Sequence, residues 1–282
     1  MSQTMEAQRA SVPEAVPDEW RGMRNALHAE WTKLRTVAGT AWLLAAIALL
    51  TAGVSAAAAA ATTCKSGGAC PVDPAKLSLT GVQLGQAVVA VLAVLAVGSE
   101  YSTGMIRITL TAMPRRPTLL AAKAVTLTGL VLAAGTIAVL GSVLAGRLIL
   151  PGNGFTPAHG FALLSLADGP VLRAAAGSVL YLALIGLLSL GVVTIVRDSA
   201  AGIGVVLGLL YLFPIIAALT VHDPEWQRHL QQIGPTSAGL AIEATRGVHS
   251  LPISPWAGLG VLAAWAAAAL LAGGLRLRLS DA

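Results

Sequence analysis

Charge is what this sequence has least of. Charged residues make up 11% of its 282 positions and hydrophobic residues 56%, where a soluble domain would carry about a quarter charged residues. A water-soluble core does not absorb that surplus, so the composition is that of a membrane protein. Net charge is +5 and the pI about 9.7. The basic residues flank apolar runs instead of gathering on one soluble face, which argues for a topology signal and against nucleic acid as a partner.

Further absences narrow the function. No Asp, Glu, Lys, Arg or His lies near the middle of any long apolar run, where proton-coupled transporters and pumps place ionisable groups. The acids, Ser/Lys pair or metal ligands of an intramembrane protease are missing for the same reason. The pattern Gly-x-x-x-x-Gly-Lys-Ser/Thr does not occur, so no P-loop holds ATP. The expectation is a protein that is not an enzyme and binds no cofactor itself. His222, Asp223, Glu225 and His229 fall at spacings a metal could use, but helix capping and a wet surface account for them, and no metal is expected.

What is present is a set of six runs long enough to cross roughly 30 Å of hydrocarbon: residues 41–61, 80–97, 124–144, 172–196, 200–220 and 256–275. The fourth and fifth are separated only by Arg197, Asp198 and Ser199, which predicts a tight helical hairpin. Twelve of the eighteen Lys and Arg fall on one set of flanks. The positive-inside rule then puts both termini in the cytoplasm of a multi-pass plasma-membrane protein. The spans are rich in Ala, Gly, Ser and Thr, which let helices approach closely. The sequence has two cysteines, Cys64 and Cys70, which bracket Lys-Ser-Gly-Gly-Ala in the first outside loop. That side is oxidising, which favours a disulfide between them, with two free thiols on a mobile loop as the alternative.

Residues 1–17 are polar, with Pro13, Glu14 and Pro17, and read as a disordered cytoplasmic tail instead of a signal peptide. Residues 18–282 read as one transmembrane domain. From Asp18, a candidate N-cap, residues 18–36 place Trp20, Met23, Leu27, Trp31 and Leu34 on one stripe at helical spacing. Such a helix lies in the inner membrane interface, its tryptophans at headgroup depth and its arginines toward anionic lipid.

Between spans two and three runs Gly98-Ser-Glu-Tyr-Ser-Thr-Gly-Met-Ile-Arg-Ile-Thr-Leu-Thr-Ala-Met-Pro-Arg-Arg-Pro117. Ser99 can cap a helix N-terminus, with Glu100 where the helix dipole favours an anion. Tyr101, Met105 and Ile108 recur at helical spacing, and Pro114 and Pro117 close the helix. Between spans five and six, Asp223 followed by Pro224 opens a helix that Gly234 stops. A second helix is expected from Pro235, capped by Thr236. Its apolar residues suggest a re-entrant pair dipping toward the membrane.

With these residues in view, the chain resembles the membrane subunit of an ABC-2-type ABC exporter of the six-span bacterial kind. The carrying residues are Glu30-Trp-Thr-Lys-Leu-Arg35, the Glu100-x-x-x-Gly-x-x-Arg107 pattern running on to Pro114-Arg-Arg-Pro117 and Lys123, and Pro235-Thr-Ser-Ala-Gly-Leu-Ala241. The resemblance implies an all-α fold with both termini inside. Residues 18–36 would be an interfacial connecting helix, and residues 100–113 a cytoplasmic coupling helix docking on a separate ATPase. Short re-entrant helices would sit at the exit. Two ATPase copies carrying ATP and Mg would pair with this chain and a second copy or paralogue. Glu100, Tyr101, Met105 and Ile108 would make the docking contact, with Arg107, Arg115 and Arg116 pairing with acids of the ATPase or with lipid phosphates. Positive-inside topology alone also accounts for those arginines, and helix capping for Glu100. The high Ala, Gly and Arg content looks like an actinobacterial source, and the resemblance then implies export of antibiotics or peptides. A non-transporting immunity or scaffold protein that binds a partner is the alternative.

Overall fold

A computed structural model describes residues 18–64, 70, 72–102, 116–220 and 223–279. Among them the order is α1 (Asp18–Thr36), α2 (Ala38–Ala61), α3 (Pro74–Ser78), α4 (Val82–Ser102), α5 (Arg116–Ile149), α6 (Gly169–Val196) and α7 (Ser199–Leu207). A π-helical segment (Gly208–Leu212) joins α7 to α8 (Phe213–Thr220), followed by α9 (Pro224–Ile233), α10 (Pro235–Gly239) and α11 (Pro255–Leu279). No strand occurs among the described residues. Six helices are long and apolar enough to cross a membrane: α2, α4, α5, α6, the continuous α7–α8, and α11. These are the six expected spans, most of them longer than their apolar runs because helices continue into polar flanks.

The bundle is built on α6, which packs against α4, α5 and α11, while α2 packs against α4 and α5. Small residues bring the backbones together. A Cβ on Gly81, in the turn before α4, would stand 1.9 Å from the carbonyl oxygen of Thr51 on α2, and the Gly81 N–H donates to Ser55 Oγ at 3.0 Å. A Cβ on Gly191 of α6 would stand 2.5 Å from the Ala269 backbone of α11. In a solvent as apolar as the side chains themselves, such close approach is what holds helices together. One core cluster, including Ile47, Val89, Leu127, Tyr181, Ile185 and Leu262, runs through all of these helices.

The hairpin between α6 and α7 forms as expected. Arg197 takes the left-handed conformation (φ 65°) and its N–H bonds back to Val193, while Asp198 caps α7 through Ala201 N–H at 2.7 Å. The π-helical turn has a local cause. Pro214 has no N–H to donate to the Leu210 carbonyl, and its ring crowds that carbonyl, so the helix widens one turn before it.

Odd and even connections emerge at opposite ends. The proximal end carries α1, the last turn of α4 and the first turns of α5. The distal end carries α3, the loop after α5, and α9 and α10.

Candidate functional site: an ion cluster and a clasped cap

At the proximal end four charged side chains from three helices meet. Lys123 on α5 places its ammonium 2.8 Å from Glu30 Oε1 on α1 and 2.6 Å from Glu100 Oε1 on α4. Lys33, one turn along α1 from Glu30, pairs with the same Glu100 oxygen. Glu30 is 6% exposed, Lys123 5% and Glu100 1%. Two acids and two bases cancel formally, which is what allows such groups to sit this deep. Glu100 also stands at the C-terminal end of its helix, where the dipole disfavours an anion, and the two lysines offset that.

This corrects several expectations. Helix α4 continues through Ser99 and Glu100 to Ser102, so Ser99 starts no helix and Glu100 occupies a last turn instead of a first. Its carboxylate is committed within the chain and is not on an open surface for a partner. Tyr101 likewise packs against the main core. Pro117 falls in the first turn of α5, a position that tolerates a missing N–H, instead of ending a helix. Met105, Arg107, Ile108 and Arg115 lie outside the described residues, as does the side chain of Arg116. On α1, the buried face is Ala26 and Glu30, with Trp31 exposed on another side and Leu27 half-buried. The side chains of Trp20, Met23 and Leu34 lie outside the description.

The distal end is held by a different device. Cys64 and Cys70 are disulfide-bonded with Cα atoms 6.0 Å apart, beside a small cluster of Ala59, Leu150, Phe155, Phe161 and Leu164. Phe155 and Phe161 meet edge to face at 5.1 Å, and the Arg246 guanidinium lies 4.5 Å above the Phe161 ring. Asp73 caps α3 through Ala75 and Lys76 N–H. It also accepts from the Thr245 N–H (2.5 Å), the Thr245 hydroxyl (2.6 Å) and the Arg246 N–H (2.8 Å). Arg173 on α6 donates to the Ala244 carbonyl at 2.6 Å. Residues 244–246 are thus clasped from two sides.

Comparison with protein-family models and with curated proteins finds no match to this chain.

The clasped segment follows directly on a cap. Helix α9 forms as expected, with Asp223 accepting from Glu225 N–H and Gly234 at its end, and it buries no residue. The next element differs from expectation. Helix α10 is only five residues long and passes into a 3-10 turn, Leu240–Glu243. Together they bury Pro235, Thr236, Ala238, Gly239, Ile242 and Glu243. Thr236 is not a helix cap: its hydroxyl donates to the Leu210 carbonyl at 3.0 Å, the acceptor that Pro214 leaves free. A recess of about 240 Å³ lies between α8 and α9, lined by Phe213, Pro214, Ala217, Leu230, Gln231 and Ser237. Among the described residues no group of three or more His, Cys, Asp or Glu is arranged to hold a metal, and His222 lies outside them.

Glu30, Lys33 and Lys123 were not candidates for a common site in the sequence. The only signal was the Glu30-x-x-Lys33 spacing, one helical turn, on a face already occupied by Ala26.

Proposed function

We propose that this chain is the membrane-spanning subunit of an ATP-driven exporter, powered by a separate ATPase that grips residues 103–115 on the cytoplasmic side. The observation that carries the reading is the ion cluster. Glu100 stands in the last turn of α4 and Lys123 near the start of α5, the two helices that flank residues 103–115 in the sequence, and these two residues are bonded to each other and to α1. A push on that segment therefore reaches α1, α4 and α5 together. The lack of a P-loop in this chain calls for energy from elsewhere. Placing the proximal end in the cytoplasm rests on the Lys and Arg count.

The test is affinity capture of the tagged full chain from native membranes. A co-purifying P-loop ATPase is expected, and Met105→Asp should release it while leaving the membrane protein intact. Capture without any ATPase, together with unchanged behaviour of changes across 103–113, would favour the non-transporting scaffold.

A further inference from the structure

Glu243 is a carboxylate sealed in the distal end. It is 1% exposed, and its Oε1 has no hydrogen-bond partner among the described residues. The cap that ends in Glu243 is fitted closely against α6 and α11. A Cβ on Gly177 of α6 would come within 2.0 Å of Ile242, and a Cβ on Gly258 of α11 within 2.0 Å of the Ala238 carbonyl. Trp265 of α11 donates to the Ile233 carbonyl at 2.9 Å, and Thr236 holds Leu210. With the cap seated, Glu243 is closed off from bulk solvent to 1% exposure.

The charged and titratable groups around it come from two elements and the clasped segment. Lys76 faces it from α3 and Asp73 from the cap of that helix, Ser178 and Tyr181 from α6. Arg173 is engaged with the Ala244 carbonyl, and Arg246 with Gly160 and the Phe161 ring. Burial dominates and pushes the Glu243 carboxyl up to about 8; Lys76 and Ser178 pull it down and Asp73 pushes it further up. An ionised carboxylate in this pocket forgoes hydration without gaining a full set of donors, whereas the neutral acid does not carry that penalty.

We propose that Glu243 is a proton-binding site that locks the distal cap. With the proton on, Pro235–Glu243 stays seated against α6 and α11. With the proton off, the carboxylate regains water by lifting the cap, which withdraws Thr236 from the Leu210 carbonyl at the widened turn of the fifth span. One proton passes from the carboxyl to solvent on opening and returns on closing; no other bond changes. This goes beyond the transport proposal and does not depend on it.

The sign follows from linkage. The carboxyl titrates higher when seated than when hydrated, where it has the ordinary value of 4.5. Seating is fully favoured below that value, weakens as pH rises, and levels off above about 8.

Hydrogen exchange of the full chain in lipid nanodiscs, corrected for intrinsic rates, tests this between pH 5.5 and 9.5. The opening constant of amides 236–243 should rise by up to about tenfold per pH unit and then level off. Amides in the middle of α6 should not follow. Glu243→Gln should flatten the profile. Lys76→Met, at an exposed position, should move the levelling-off to higher pH. A flat profile in the unaltered protein overturns the proposal, as does an unaltered slope in Glu243→Gln. Should Glu243→Gln not fold, an unshifted profile in Lys76→Met overturns it.

Discussion

The hydroxyl of Thr236 donates at 3.0 Å to the carbonyl of Leu210, and the residue four positions after Leu210 is Pro214, which has no N–H to offer it. Two segments 26 positions apart thereby solve one backbone problem: a break in a membrane helix is satisfied by the cap that rests on it.

Removing that hydroxyl in Thr236→Val leaves a buried carbonyl unsatisfied and should cost about 1–3 kcal/mol. Pro214→Ala restores a helical donor. In that background Thr236→Val should cost clearly less. Thermal unfolding in detergent of the two single variants and the double variant measures the coupling, and additive losses would show that the two residues act independently.

Lys123→Met leaves Glu30 and Glu100 facing each other without their shared cation. A loss of about 3–5 kcal/mol is expected, because the remaining charges stay buried. The combination Lys123→Met, Glu30→Gln and Glu100→Gln should recover much of it. Denaturation midpoints of the single variant, the triple variant and the parent decide; a silent Lys123→Met would mean that the cluster does not hold α1 to the bundle.

Asp73→Ala removes an acceptor used by α3 and by residues 245 and 246 at once. Faster hydrogen exchange at amides 75, 76, 245 and 246 should appear together, with α1 and the proximal end unchanged. Acceleration at 75 and 76 alone would show that the cap is held without it.

The Cys64–Cys70 bond closes a very short loop, so its stabilising effect should be about 2 kcal/mol on the loop-entropy account. Reduction should lower the unfolding temperature modestly. In intact cells, a membrane-impermeant maleimide should label these positions only after reduction. Labelling without reduction would show that the thiols are free, and no labelling after reduction would place the distal end on the wrong side.

How far the sequence could be read depended on how local each signal was. The six spans, the Arg197–Asp198 hairpin and the Asp223 cap are legible because apolar length, a left-handed cap and an Asp-Pro start act over a few residues. Ser99 and Pro117 were misread for a related reason. Both residue types occur at helix ends, but the run alone does not say whether a helix begins or continues there. Glu100 looked like an exposed anion because its partners, Lys33 and Lys123, lie 67 and 23 positions away. The role of Thr236 needed the position of Pro214, which only the packed bundle supplies.

Gly191 sets a limit on how such a bundle can move. Where α6 meets α11 at Gly191, a Cβ would stand 2.5 Å from the Ala269 backbone and 2.7 Å from its methyl, so no larger side chain fits there. Rotating or sliding one helix against the other there would cost that close contact. The fifth span instead carries a π-helical turn ahead of Pro214, the kind of place at which helices bend.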